Sequence, residues 1–116
     1  MPDRFGDKGR IEHMLKAIKT IESYTQKITF EQFQQDNMRL DACIRQLGIV
    51  GEAANRISPD LIAQYLNVPW RQIIGLRNIL IHEYFGVDDK IIWDIITVNL
   101  PPLKENLQEI LSELRA

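Results

Sequence analysis

The sequence lacks the features of a disulfide-stabilised, zinc-binding or membrane-spanning protein. Its 116 residues include one cysteine, Cys43, which cannot form an internal disulfide, and no CxxC motif or Cys/His cluster suggests structural zinc. The first seven residues are polar, so no signal peptide is expected. No apolar run approaches the roughly 20 residues that span a bilayer. We therefore predict a cytoplasmic protein that has no membrane contact.

An excess of positive charge is also missing. The chain has 14 Lys and Arg against 16 Asp and Glu, a formal net charge of −2. Binding to nucleic acid depends on many Lys and Arg contacts to phosphates, so overall charge alone would not attract RNA or DNA. Any such binding needs positive charge that is concentrated locally. The length and the 45% hydrophobic content suit one soluble domain over residues 1–116.

Apolar residues recur at helical spacing along the chain. A first stripe with i, i+3, i+4, i+7 spacing consists of Ile11, Met14, Leu15, Ile18 and Ile21. Thr29 and Gln32 match a capping box, which predicts a second helix over about 30–57. Gly48 and Gly51 each destabilise that helix by roughly 1 kcal/mol relative to alanine. We expect close approach of a neighbouring helix to compensate.

The remaining helix boundaries are predicted from caps, prolines and a glycine. They lie at Ser58-Pro59, Asn67-Val68-Pro69, Gly86, Asp88-Asp89 and Pro101-Pro102. A short helix should end near residue 65, and another should run from Trp70 to Gly86. The proline pair leaves either two helices or one sharply kinked helix that ends near Leu114. No alternating run suggests a sheet, so we predict an all-α bundle of five or six helices.

The helix predicted from Trp70 carries an unusual set of polar residues. At about 100° per residue, Arg77 points into the same sector as Trp70. A guanidinium among apolar residues is costly unless it meets an anion or another protein surface. Asn78 and His82 are four residues apart and share a face, while Arg77 and Tyr84 share another.

These residues could cleave RNA without a metal, because RNA carries its own nucleophile, the 2′-hydroxyl. His82 titrates near neutrality and can move protons. Arg77 can hold two phosphate oxygens. Asn78 could position the phosphate or the imidazole, and Tyr84 could stack on a base or hydrogen-bond a phosphate.

Spacing alone leaves a structural alternative open. His82 would then be a capping or surface histidine, and Arg77 would pair with an acid such as Glu52. Glu52 could instead orient His82, or be an ordinary surface carboxylate. Asp88 and Asp89 could suggest a metal, but they fit the charge of a helix start better because no histidine or third carboxylate lies at ligand spacing. We therefore predict no metal site.

Two further residue types have simple structural interpretations. His13 lies on a polar face between charged residues, which indicates a solvated side chain. Trp70 and Trp93 are predicted to be core or interface anchors rather than platforms for base stacking.

The string RNILIHEY at 77–84 resembles the R-x4-H-x-Y motif of the HEPN superfamily, in particular its HepT branch of toxin–antitoxin ribonucleases. The resemblance extends over nearly the whole chain from about Ile11. Further matching segments, in order, are Gly51-Glu52-Ala53-Ala54, Pro69-Trp70, Gly86-Val87-Asp88 and Leu100-Pro101-Pro102-Leu103.

This resemblance implies a homodimeric, HEPN-like bundle in which two copies of the motif meet at a cleft. It implies a metal-independent endoribonuclease toxin that needs no cofactor and acts on RNA. Arg77 and His82 would be catalytic, with Asn78 assisting. The partner it implies is a minimal nucleotidyltransferase antitoxin (MntA-like, in a type VII-like pair) that transfers AMP to Tyr84 and so blocks the site.

Two alternatives of other classes remain open at this point. The same dimeric scaffold could be an interaction module that binds a nucleotide or RNA through Arg77 and His82 without cutting it. It could also be a structural dimer with no site. An intact Arg77, His82 and Tyr84 favour the enzyme.

Overall fold

The computed structural model describes residues 4–78 and 88–115, and in these ranges it contains helices and turns but no strand. The helices are α1 (Arg4–Thr25), α2 (Phe30–Gln34), α3 (Asn37–Asn55), α4 (Pro59–Gln64), α5 (Trp70–Gly75), α6 (Asp89–Asp94) and α7 (Leu100–Arg115). A π-helical turn, Ile95–Asn99, joins α6 to α7. The predicted all-α fold is confirmed.

Helices α1 and α3 pack antiparallel at the centre of the fold. At one end, the buried Asp7 of α1 accepts hydrogen bonds from the backbone N and the Oγ of Ser58, at 2.9 and 2.6 Å, just beyond α3. At the other end, Nη1 of Arg39 donates to the carbonyl of Tyr24 at 2.9 Å. Helix α7 packs on α1, and α5 packs on α3.

The core is formed by the apolar stripes that the sequence predicts. On α1 the five residues of the first stripe, Ile11, Met14, Leu15, Ile18 and Ile21, are all buried. The predicted stripe on α3 and the turn after it is also buried, at Cys43, Ile44, Leu47, Val50, Ala54 and Ile57. Leu40, which was predicted with them, is half-buried. This burial is the main stabilising contribution to the bundle.

The predicted single helix over 30–57 is wrong, although its start is right. The capping box is present, with Thr29 N donating to Gln32 Oε1 at 2.9 Å and Gln32 N donating to Thr29 Oγ1 at 3.1 Å. Helix α2 then ends at Gln34, and α3 begins after Asp36. The Asp36 carboxylate accepts from the backbone N of Arg39 at 3.0 Å and from its Nε at 3.1 Å. An aspartate that caps the following helix in this way favours a new helix start.

The predicted helix from Trp70 to Gly86 is also interrupted. Helix α5 ends at Gly75, and the backbone N of Leu76 donates to the carbonyl of Ile73 at 3.0 Å, which tightens the last turn. Residues 77 and 78 are helical again. Leu76 keeps helical dihedrals, with φ −60° and ψ −26°, so the departure from the predicted helix is one tightened turn. Gly86 lies outside the described residues.

The last helices are continuous with one another over 89–115. Asp88 caps its start by accepting from the backbone N of Lys90 at 2.8 Å, which confirms the predicted helix start. The π-helical turn lies just before Pro101 and Pro102, and Leu100 N donates to the carbonyl of Ile95. Proline cannot donate a helical hydrogen bond, and its ring crowds the carbonyl four residues earlier. The wider turn accommodates both rings, so two separate helices, one of the predicted alternatives, do not form. With 89–115 counted as one, the described part contains six helices.

The two tryptophans pack into the core, as predicted. Trp70 is buried and its Nε1 donates to the carbonyl of Tyr65 at 2.9 Å. Half-buried Trp93 packs against Phe33 and Phe30, with ring centroids 5.1 and 6.1 Å away. These contacts fix α5 and α6 against the remainder of the bundle.

Candidate functional site

Arg77 lies just beyond α5 and faces Glu52 of α3. Its Nε is 3.2 Å from Oε1 of Glu52, and the two side chains are 34% and 47% exposed. The Nε atom is buried and has no hydrogen bond of good geometry to any described residue. The contact is therefore an attraction between charges at a poor hydrogen-bond angle. Glu52 therefore pairs with Arg77, the contact that the structural alternative predicted.

The backbones of α3 and α5 touch at the same place. A Cβ added to Gly51 would lie 2.5 Å from the backbone N of Arg77 and 3.1 Å from the carbonyl oxygen of Ile73. The close approach of a neighbouring helix, expected from the sequence, is confirmed at Gly51. Glu52 is the next residue along α3, so this packing also brings its carboxylate to Arg77.

The other predicted site residues are only partly covered by the described ranges. Asn78 follows Arg77 in helical conformation and is exposed. His82 and Tyr84 lie outside the described residues, so their geometry relative to Arg77 stays a prediction. His13 is exposed, as predicted. Within residues 4–78 and 88–115, no three His, Cys, Asp or Glu side chains are grouped in a way that could hold a metal ion.

A groove of about 960 Å³ runs beside Glu52, between α1 and α3. Its lining includes Arg10 from α1, Arg45 from α3, and Arg56, the residue that ends α3. These arginines were not predicted from the sequence as site residues. The available signal was the spacing of Arg45, Glu52 and Arg56 at i, i+7 and i+11, which places them on one face of a helix. The contribution of Arg10 depends on the pairing of α1 with α3.

The arrangement offers cationic groups that can bind an anion at a surface rather than a buried cavity. Arg77 is held by an anion of its own chain, yet about a third of its side chain is exposed. An arginine can bind two oxygens of a phosphate at once. Three more arginines line the groove that Glu52 also lines. Four arginines thus lie in or beside one groove of a chain whose net charge is −2.

The described part of the chain is all-helical and presents an arginine at the contact of two helices. A family model described as "Ribonuclease HepT-like" matches residues 14–110. The chain belongs to the HepT-like ribonuclease family, as the resemblance of 77–84 predicts.

Individual relatives agree with this assignment. The "Probable ribonuclease HepT" of Thermococcus cleftensis is 37% identical over 103 residues, which cover 89% of this chain and 94% of that protein. A "Putative RNase" of Caldanaerobacter subterraneus subsp. tengcongensis is 37% identical over 103 residues, covering 89% and 92%.

A third relative is a longer protein. The "Gamma-glutamylcyclotransferase and putative RNase" of Methanocaldococcus jannaschii is 36% identical over 104 residues, covering 90% of this chain and 47% of that protein. The chain thus spans about half the length of this relative. No solved structure matches the chain significantly. Among the described residues, no helix combines the length and apolar composition needed to cross a membrane.

Proposed function

We propose that this chain is a metal-independent endoribonuclease toxin in which Arg77, Asn78 and His82 act on an RNA phosphate. The observation that carries the proposal is the placement of Arg77. Helix α3 supports its backbone at Gly51 and its side chain through Glu52. The chain that positions Arg77 in this way belongs to a ribonuclease family. A fixed and still accessible guanidinium is what stabilisation of a phosphorane-like transition state requires.

In the proposed reaction the RNA supplies the nucleophile. The 2′-oxygen attacks the adjacent phosphorus and loses its proton, and the bond from phosphorus to the 5′-oxygen breaks. The products are a 2′,3′-cyclic phosphate and a 5′-hydroxyl, which takes up a proton. Arg77 stabilises the charge on the non-bridging oxygens, and Asn78 helps to position the phosphate. His82 moves a proton, since its ordinary pKa lies near neutrality.

The proposal includes a homodimer, with residues 1–116 as one domain in each copy. One copy of Arg77 brings a single guanidinium, whose charge Glu52 partly offsets. Two copies meeting at a cleft would double the guanidinium groups around the reacting phosphate. The expected regulator is a nucleotidyltransferase antitoxin that transfers AMP from ATP to the Tyr84 hydroxyl. The tyrosine oxygen bonds to the α-phosphorus and loses its proton, and pyrophosphate leaves. The added phosphate would compete with RNA for Arg77.

Cleavage of single-stranded RNA in EDTA tests the enzymatic proposal. We expect the native protein to cut RNA and leave cyclic-phosphate ends. Arg77→Ala and His82→Ala should each lower the rate by about 10²-fold or more. Arg115→Ala is the matched control, because that arginine pairs with Glu12, at 3.3 Å, in a contact of α7 with α1. Equal rates for native protein and both site variants would contradict the proposal.

Two further measurements separate the remaining classes. RNA binding that depends on Arg77, without cleavage, would show an interaction module instead of an enzyme. Intact mass after co-expression with the nucleotidyltransferase tests the modification, which should add AMP to native protein and not to Tyr84→Phe. A mass that is unshifted, or shifted equally in Tyr84→Phe, would contradict this part.

A further inference from the structure

Three arginines line the groove between α1 and α3 without a charged partner. Arg10, Arg45 and Arg56 form no ion pair with any residue in the described ranges. Arg39 and Arg115, which lie elsewhere, each pair with a carboxylate of the chain. The arginines of the groove are thus available to an external anion.

Arg45 and Arg56 form a row along one helix face because of their spacing. Arg45 and Arg56 are separated by 11 residues, or roughly 16 Å at the rise of an α-helix. Arg10 faces this row from α1. Glu52 lies between the two arginines of α3 and is the residue that contacts Arg77. Glu52 lines the groove and thus joins this row to Arg77, which lies beyond the groove lining.

The other charged groups of the groove leave this row cationic. The acids are Glu52, whose charge is offset by Arg77, and Asp41, which lies one turn from Arg45 at the far end. His13 is the remaining titratable group in the lining. Because the whole chain carries a net charge of −2, a local row of unpaired arginines is the kind of surface that phosphate binding needs.

We propose that this groove binds the backbone of single-stranded RNA and guides the strand to Arg77. Arg10, Arg45 and Arg56 bind successive phosphates. The axes of two packed helices lie about 8–10 Å apart, so the groove between them accommodates one strand better than a duplex. The inference rests on the proposed ribonuclease function, because it takes RNA to be the ligand.

The test measures binding apart from cleavage. Fluorescence anisotropy of a labelled 2′-O-methyl RNA oligonucleotide, which has no free 2′-hydroxyl and cannot be cut, gives the Kd of the native chain at several salt concentrations. We expect Arg10→Gln, Arg45→Gln and Arg56→Gln each to raise Kd at least about threefold. Each variant should also make the negative slope of log Kobs against log salt concentration shallower by about 0.7, where Kobs is the association constant, 1/Kd.

Lys19→Gln is the matched control for loss of one positive charge. Lys19 is exposed on α1 but lines a different depression, together with Leu111 and Arg115 of α7. It should leave Kd and the salt slope unchanged. If the three arginine variants behave like Lys19→Gln, the inference is overturned. Light scattering adds a second criterion, since a change in oligomeric mass in these variants would assign the groove to contact between copies and also overturn it.

Cleavage of unmodified RNA by the same proteins separates this inference from the proposed function. If the native chain cuts RNA but the groove variants bind RNA as tightly as the Lys19→Gln control, only the proposed role of the groove is refuted. If the groove variants bind RNA more weakly but the native chain does not cut it, RNA binding in the groove is supported and the proposed ribonuclease activity is refuted.

Discussion

Glu52 and Arg77 form an ion pair across the contact of α3 with α5, with Oε1 3.2 Å from Nε. The sequence suggested that Arg77 needs an anion or another protein surface, and the structure supplies the anion from the same chain. Both side chains are about a third to a half exposed. Pairs of that exposure contribute about 0–1 kcal/mol. A phosphate can therefore replace the carboxylate at low cost, so the pair is compatible with an RNA-binding arginine.

Glu52→Gln should change RNA cleavage much more than stability. The carboxylate competes with phosphate for Arg77 and also restrains the guanidinium. We therefore expect a lower KM together with a kcat reduced about tenfold, which corresponds to 1.4 kcal/mol. Steady-state kinetics on a single-stranded RNA would measure both, and urea unfolding should show a change below about 1 kcal/mol.

Glu22→Gln provides the comparison for this variant. Glu22 pairs with Lys104 between α1 and α7 at 2.9 Å, and its side chain is 44% exposed, against 47% for Glu52. Its loss should leave both kinetic constants unchanged. Identical kinetics in the two variants would refute a role of Glu52 at the site.

Local features of the fold were predictable because their determinants lie within a few residues. The capping box of Thr29 and Gln32, the caps at Ser58 and Asp88, and the buried stripe of α1 depend only on contacts inside one turn or on one helix face. The interruption at Asp36 was missed because the polar stretch Gln34-Gln35-Asp36-Asn37 contains no glycine or proline to mark it. A single capping carboxylate decides the break there.

The candidate site was less predictable because it depends on pairing between distant segments. Arg77 and Glu52 are 25 residues apart, and their contact requires α3 and α5 to meet at Gly51. Arg10 and Arg45 share a groove only because α1 and α3 are antiparallel neighbours. A helical wheel describes one helix at a time. It therefore identified Arg77 as unusual without identifying what surrounds it.

Cys43 should resist alkylation in the folded protein. It is fully buried, and this burial raises the pKa of its thiol to about 11 from an ordinary 9.0, against a smaller opposing effect of Arg39. The reactive thiolate is therefore absent near neutral pH. Iodoacetamide labelling followed by mass spectrometry should show an unmodified native chain and complete labelling in urea. Rapid labelling of native protein would contradict the burial.

The same pKa shift determines how Cys43 affects stability at alkaline pH. Since the folded pKa lies above the unfolded one, the contribution is full below about pH 9 and is lost as pH rises through about 11. Unfolding followed across this window should show a steeper loss of stability in the native chain than in Cys43→Ala. Parallel curves would contradict the assignment of the shift to this thiol.

Asp7→Asn should destabilise the fold by about 1–3 kcal/mol. The carboxylate is buried and accepts two hydrogen bonds from Ser58, whose Oγ in turn accepts from the backbone N of Leu61 at 3.2 Å to cap α4. An amide offers one acceptor oxygen and directs its NH₂ group at a donor. Urea unfolding measures the loss. The control is Asp60→Asn, at an exposed position of α4, which should change stability by less than about 0.5 kcal/mol. If both variants had the same effect, the stabilising role of the Asp7–Ser58 hydrogen bonds would be refuted.

Gly51→Ala should destabilise the fold and impair RNA cleavage together. Alanine favours a helix over glycine by about 1 kcal/mol, so propensity alone predicts a gain. The added methyl would lie 2.5 Å from the backbone N of Arg77, where no side chain can move aside, and such overpacking costs about 1–3 kcal/mol. Helix α5 must therefore shift away, carrying Arg77 from Glu52.

Gly9→Ala is the control, because it makes the same change in α1, where a Cβ meets nothing within 4 Å. Urea unfolding should show this variant to be as stable as native protein or more so. If Gly51→Ala matched Gly9→Ala in stability and cleaved RNA at the native rate, the close contact of α3 with α5 could not be what positions Arg77.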